Sequence, residues 1–141
     1  MRRIDRDPPD FPFCRRLGGD AVIAANGLAA AFPDAYPVAD GHALVVPRRH
    51  EGDYFALRPE ERAAVWTLVD EVRALLQRRH GPDAFNVGVN AGAAAGQTVA
   101  HAHVHLIPRY EGDVDDPRGG VRHVIPSRAA WWEEAEDGPA P

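Results

Sequence analysis

Residues 101–108 read HAHVHLIP, with histidine at 101, 103 and 105 and an apolar residue at 102, 104 and 106. Successive side chains of a strand point to opposite faces. His101, His103 and His105 would then share one face, and Ala102, Val104 and Leu106 the other. In a helix the same rings would spread around much of the surface, so the alternation predicts a strand over about residues 99–108. Such a strand has an apolar side to pack beneath a helix and a chemical side to leave reachable. Same-face neighbours stand roughly 6.5–7 Å apart, so His103 would have an imidazole on each side.

The covering helix is legible too. RPEERAAVWTLVDEVRALLQRRHGP carries Val65, Leu68, Val69, Val72, Leu75 and Leu76 at three- and four-residue steps, one apolar stripe. Pro59 suits the first helical position, and Glu60 and Glu61 suit the positive N-terminus. Arg78, Arg79 and His80 suit the C-terminus, Gly81 suits C′, and Pro82 blocks continuation. Trp66 is expected in the core on or beside the stripe. Upstream, Asn26-Gly27 between two apolar runs predicts a type I′ hairpin joining strands at about 20–25 and 28–33. Gly41 supplies freedom to a turn before a third strand, HALVVP, ending at Pro47. AFNVGVN is a fourth strand, AGAAAGQT a small-residue loop, and the histidine run the fifth strand. RYEGDVDDPRGGVRHVIP reads as an irregular arm with a short strand at 121–125. The layout is α+β: one long helix against a mostly antiparallel sheet.

A chain of 141 residues suits one core. The first ten residues and the terminal EDGPAP read as frayed ends. MRRIDRDPPD lacks the apolar stretch of a signal peptide, and no apolar run is long enough to span a bilayer. The single cysteine, Cys14, excludes an internal disulfide, fits a reducing cytosol, and rules out a zinc site needing two cysteines from one chain. A net charge of −5 argues against a broad basic surface for nucleic acid. The ligand expected is small.

Two chemistries suit the histidines. As metal ligands, two of them would need a third from elsewhere, and His42 or His50 could complete the set. No carboxylate occurs between Phe85 and Tyr110 to serve as the base of a metal hydrolase. As a nucleophile, neutral imidazole is competent near pH 7 because its pKa is about 6.5. Attack on phosphorus gives a phosphoramidate that water later cleaves. The adjoining AGAAAGQTV offers backbone N–H groups to phosphate oxygens, and Gln97 and Thr98 add polar groups at its exit.

GQTVAHAHVHLIPR resembles the signature of the histidine triad (HIT) superfamily. FPDAYPVADGHALVVPRRH and FNVGVNAGAAAGQTV resemble the segments that precede it, so the likeness runs from about residue 11 to 110. It implies a HIT-like fold, a five-stranded antiparallel sheet with one long helix, in a domain over 11–110 followed by an arm and tail over 111–141. It also implies a homodimer through the long helix and the fourth strand. By the same resemblance His103 is the nucleophile that forms a covalent nucleotidyl-histidine, and His101 and His105 steady phosphate oxygens and the tautomer of His103. Gln97 and Thr98 contact the phosphate or leaving group. Asn90 adds an amide, Asp34 holds the ribose hydroxyls, and His42 stands behind the triad.

Plain alternatives stand beside these roles. Asp34 could simply end a strand and Asn90 serve a turn. Arg48 and Arg49 read as solvated charges, His50, His80 and His123 as surface residues, and Arg109 as an attractor of polyphosphate or a solvent-facing cation. Some relatives carry Cys-x-x-Cys around a structural zinc. Here Phe11 replaces the first cysteine, which argues against zinc although His50 matches a position that zinc-bearing relatives use, and leaves Cys14 an ordinary buried residue. GDVDDPRGGVR and GQT resemble bacterial dinucleoside polyphosphate hydrolases, so the expected activity is nucleotidyl transfer to water at the α-phosphate of such a substrate. The chemical step needs no cofactor, and Mg²⁺ could accompany the polyphosphate. Hydrolysis of a nucleoside phosphoramidate, a metal-dependent hydrolase and a nucleotide-binding module are the alternatives. The expected partners are a nucleotide and a second copy, in the cytoplasm, with neither membrane nor nucleic acid. Trp131 and Trp132 read first as packing residues, with cover for a partner subunit or the base pocket as the alternative.

Overall fold

A computed structural model describes residues 12–135. The expected frayed N-terminus, and the last residues of the tail, lie outside them. The chain divides into two units, Met1–Arg109 and Tyr110–Pro141.

The first unit holds α1 (Pro12–Leu17), β1 (Ala24–Ala25), β2 (Ala29–Pro33), β3 (Ala43–Pro47), α2 (Pro59–His80), β4 (Ala84–Val89) and β5 (Val104–Arg109). The strands form one antiparallel sheet in the order β1-β2-β3-β5-β4. The stripe on α2 packs on one face: Val65, Leu68, Val69, Val72 and Leu76 join Val45, Val104 and Leu106 in one buried cluster. Alternation along β5 delivers Val104 and Leu106 to that face. On the other face Phe13 of α1 packs with Phe32, Leu44 and Val46. The helix α1 has no counterpart among the expected elements.

Helix α2 begins and ends where its caps predict. Pro59 occupies the first turn, and Gly81 closes the helix with a φ of 60°. Glu61 is buried, accepts from the Arg58 amide at 2.9 Å, and receives both Nε and Nη2 of Arg49. Arg49 is therefore not a solvated charge, and Arg48 donates to the Asn26 carbonyl at 2.9 Å. Arg109 likewise donates to Asn86. Trp66 is not in the core. It lies one position off the stripe, is 39% exposed, and donates its indole N–H to the Tyr54 hydroxyl.

Three local expectations fail for physical reasons. The Asn26-Gly27 turn is not type I′, because neither Asn26, Gly27 nor Leu28 has a positive φ. The Asn26 side chain instead accepts the amides of Leu28 and Ala29 at 3.0 and 2.8 Å, an Asx turn that shapes the bend. The fifth strand starts at Val104, five residues later than expected. The Ala102 amide bonds to the Glu51 carbonyl at 2.7 Å, which diverts the chain through a bend at His101. In the second unit, residues 121–125 are not a strand: Gly120–Val124 is a 3-10 turn, entered through Gly119 with a φ of 90°. The last described element of that unit is α3 (Trp131–Ala135), where the Arg118 guanidinium lies 4.3 Å from the Trp132 ring centroid. Among the described residues no helix is long and apolar enough to cross a membrane.

Candidate active site

The site lies at the N-terminal end of β5, and its hydrogen bonds define the tautomer of each imidazole. His103 Nδ1 is 2.8 Å from the carbonyl oxygen of His101. A carbonyl only accepts, so Nδ1 carries the hydrogen and Nε2 keeps its lone pair. His42 Nδ1 accepts the Val38 amide at 3.1 Å, which puts the His42 hydrogen on Nε2. That nitrogen is 3.0 Å from His105 Nδ1 and 3.4 Å from Asp34 Oδ2. His105 therefore accepts on Nδ1 and bears its hydrogen on Nε2. The two rings thus differ in character: His103 Nε2 is a base and nucleophile, while His105 Nε2–H is a donor.

Burial keeps these rings neutral. Desolvation lowers the pKa of His42, His103 and His105, and the neighbouring Asp34 carboxylate offsets it in part. His101, with no exposed surface, is pushed down to about 4, chiefly by burial. A neutral His103 retains the lone pair that nucleophilic attack requires.

A cavity of about 610 Å³ opens beside His103 and His105, within the usual range of ligand clefts. Asn90, Gly96 and Thr98 line it, as do Phe13, Arg16, Asp34 and Tyr36. The Phe13 ring meets His103 edge-on at 5.0 Å. The loop between β4 and β5 turns through Gly92 and Gly96, with φ values of 98° and 97° that only glycine adopts readily.

The expected site residues divide into two groups. His103, His105, Asp34, Asn90 and Thr98 all reach the cavity, and His42 stands behind His105 as expected. His101 and Gln97 do not border it. His101 turns away, donating Nε2–H to the Pro47 carbonyl at 2.7 Å. Its backbone oxygen, not its ring, holds the tautomer of His103. Gln97 is buried with its amide saturated: Oε1 accepts the Gly92 amide at 2.9 Å, and Nε2 donates to Gly52 and Val99 carbonyls at 2.7 and 3.0 Å. It ties the loop down instead of facing a ligand.

Other residues enter that sequence reasoning had set aside. Cys14 Sγ is 3.2 Å from His50 Nδ1 and 3.7 Å from His101 Nδ1. Cys14 is thus not an ordinary buried residue, nor His50 a plain surface one. The three donor atoms lie within 4.8 Å of one another. Phe13 and Arg16 reach the cavity because they stand one helical turn apart on α1. That spacing in FPFCRR was the available signal.

The HIT domain model matches residues 19–112. An uncharacterised HIT-like protein of Mycoplasma pneumoniae is 46% identical over 70% of this chain and 71% of its own length. The asymmetrical bis(5′-nucleosyl)-tetraphosphatase of Schizosaccharomyces pombe is 35% identical over 77% of this chain and 60% of that protein. The adenosine 5′-monophosphoramidase of the same yeast is 37% identical over 69% and 72%. Among solved structures, a Zn-bound histidine triad family protein from Mycobacterium smegmatis superposes with a TM-score of 0.68 at 28% identity, covering 92% of this chain and 99% of that one. The chain belongs to the HIT family, and its site is that of an enzyme.

Proposed function

We propose that the protein hydrolyses a dinucleoside polyphosphate at its α-phosphorus through a nucleotidyl-His103 intermediate. The observation that carries this reading is the His103 tautomer. With Nδ1–H bound to the His101 carbonyl, the opposite nitrogen holds a lone pair on a ring that borders the cavity. Nε2 attacks phosphorus, a P–N bond forms, and the P–O bond to the leaving polyphosphate breaks. The positive charge gained by the ring strengthens the Nδ1–H bond to the His101 carbonyl. His105 Nε2–H donates to a phosphate or leaving-group oxygen. Water then cleaves the P–N bond, releasing a nucleoside monophosphate and restoring neutral His103.

Asn90 and Thr98 suit the leaving polyphosphate, beside the loop amides. Asp34 suits the ribose hydroxyls. Its Oδ1 accepts the Tyr36 amide at 2.8 Å, and a carboxylate has lone pairs left for hydroxyl donors. Gln97 serves by holding the loop. Mg²⁺ would enter with the polyphosphate and is not needed for the P–N chemistry. Second copies would pair through the open edge of β4 and through α2, and the setting proposed is the cytoplasm.

Cys14, His50 and His101 match zinc's preference for sulfur and imidazole. An ion there would stiffen the approach to β5. Neither this trio nor the cluster of Asp34, His42 and His105 includes His103, which favours the nucleophile over a metal-dependent hydrolase. Phosphoramidate hydrolysis uses the same attack with a nitrogen leaving group, and the likeness to the yeast phosphoramidase keeps it as the second reading.

The test is a covalent trap. Enzyme mixed with diadenosine tetraphosphate and quenched in alkaline denaturant should carry a nucleotidyl adduct on His103 by mass spectrometry. His103→Ala should lose both adduct and turnover. Turnover that persists in His103→Ala would refute the assignment.

A further inference from the structure

We infer that Arg16 selects the base, and that the preferred substrate carries a 6-oxopurine such as guanine. This deepens the proposed function and rests on its placing of the α-phosphate at His103.

With phosphorus at His103 and the leaving group along the 90–98 loop, the nucleoside is left with the remaining residues of the cavity lining. Phe13, Tyr36 and Arg16 belong to that remaining lining. The first two offer rings to a flat base. Arg16 offers donors held in a set plane. Its guanidinium centre lies 4.4 Å from the Phe32 ring centroid, and Nη2 donates to the Pro33 carbonyl. Two separate contacts thus fix the fork, and neither is an ion pair. Among the described residues Arg16 has no ion pair, so its other N–H groups remain for a ligand.

An arginine fork donates and never accepts. The base edge it meets must therefore present acceptors. Guanine and hypoxanthine carry two adjacent ones, O6 and N7, matching the spacing of the fork. Adenine keeps N7 but places an amino donor where O6 would be, so one N–H would face another. A bidentate pair of this kind discriminates by about tenfold to a hundredfold. A lysine in the same place would keep the charge and lose the fork.

The test measures binding and turnover separately. Calorimetry with GMP and AMP reads the base preference whether or not hydrolysis occurs. Wild-type protein should bind GMP at least tenfold more tightly. Arg16→Met, which keeps an unbranched stem over Phe32, and Arg16→Lys should both bring the ratio close to one. The kcat/KM ratio for diguanosine over diadenosine tetraphosphate should follow the same pattern. Thermal unfolding checks that each variant is folded. Equal weakening of GMP and AMP in Arg16→Met would mean that Arg16 grips phosphate, and the inference falls. A wild-type preference for AMP, or no binding of either, also overturns it. Base-selective binding without turnover would instead remove the proposed reaction and keep the role of Arg16.

Discussion

Replacing Gln97 by alanine separates a residue that touches substrate from one that builds the loop. Gln97 makes three side-chain hydrogen bonds, at 2.9, 2.7 and 3.0 Å, and the residue is only 7% exposed. Each such bond is worth roughly 0.5–1.5 kcal/mol net, so their joint loss costs about 3 kcal/mol. With a urea dependence of about 2 kcal/mol per molar, the unfolding midpoint should fall by about 1.5 M. Turnover should fall as well, because Gly92 then loses its tether to residues 52 and 99. Gln97→Glu should do similar damage, since a carboxylate accepts from Gly92 but repels two carbonyls. The assay is urea unfolding followed by fluorescence, paired with steady-state kinetics. A midpoint equal to wild type with turnover still lost would refute the tether and reinstate direct contact with substrate.

Two other outcomes follow from the imidazole network. His42→Leu removes the donor that holds His105 in its Nε2–H form and should lower kcat on the order of 10²-fold. His42→Gln, with an amide N–H in its place, should recover part of that loss, and equal activity in both variants would contradict the relay. His101 is held at about 4, against 6.5 for the free side chain. The unfolded chain therefore takes up a proton between those values that the folded chain refuses. The stability this group contributes is complete above about pH 6.5 and is lost as pH falls toward 4, roughly 3 kcal/mol at about 1.36 kcal/mol per pH unit. The His101 ring resonances should stay flat between pH 7 and 5 in the folded protein, and a midpoint near 6.5 would contradict the burial argument.

Local pattern carried the expectations for α2 and β5, though not for the Asn26-Gly27 turn, whose Asn26 side chain takes the amides of Leu28 and Ala29 instead. Helix α2 runs from Pro59 to Gly81 because an apolar stripe, a first-turn proline and a left-handed glycine are properties of neighbouring residues. The apolar side of β5 faces α2 because alternation is local too. The likeness of the flanking segments to HIT proteins placed Asp34, His42, Asn90 and Thr98 near the triad, although no spacing rule joins residues so far apart. The failures at His101 and Gln97 have a non-local origin. Alternation put His101 on the face of His103, yet the bend imposed by the Ala102–Glu51 bond turned it away. Gln97 looked like a ligand contact because its residue type is polar and its loop suits phosphate. Nothing local said that Gly52, 45 positions earlier, would take its N–H.

Residue order alone settled the two-faced ribbon, the helix that covers it and the imidazole at its centre, since periodicity records where each side chain points from its own backbone. Folding settled the chemistry of His101 and His105. The partners that set the tautomers or the burial lie 54 positions away for His101, 63 for His105 and 87 for the thiol beside His101. A hydrogen bond is fixed by which distant carbonyl or amide comes within about 3 Å, and that distance exists only once the sheet and its two helices have packed.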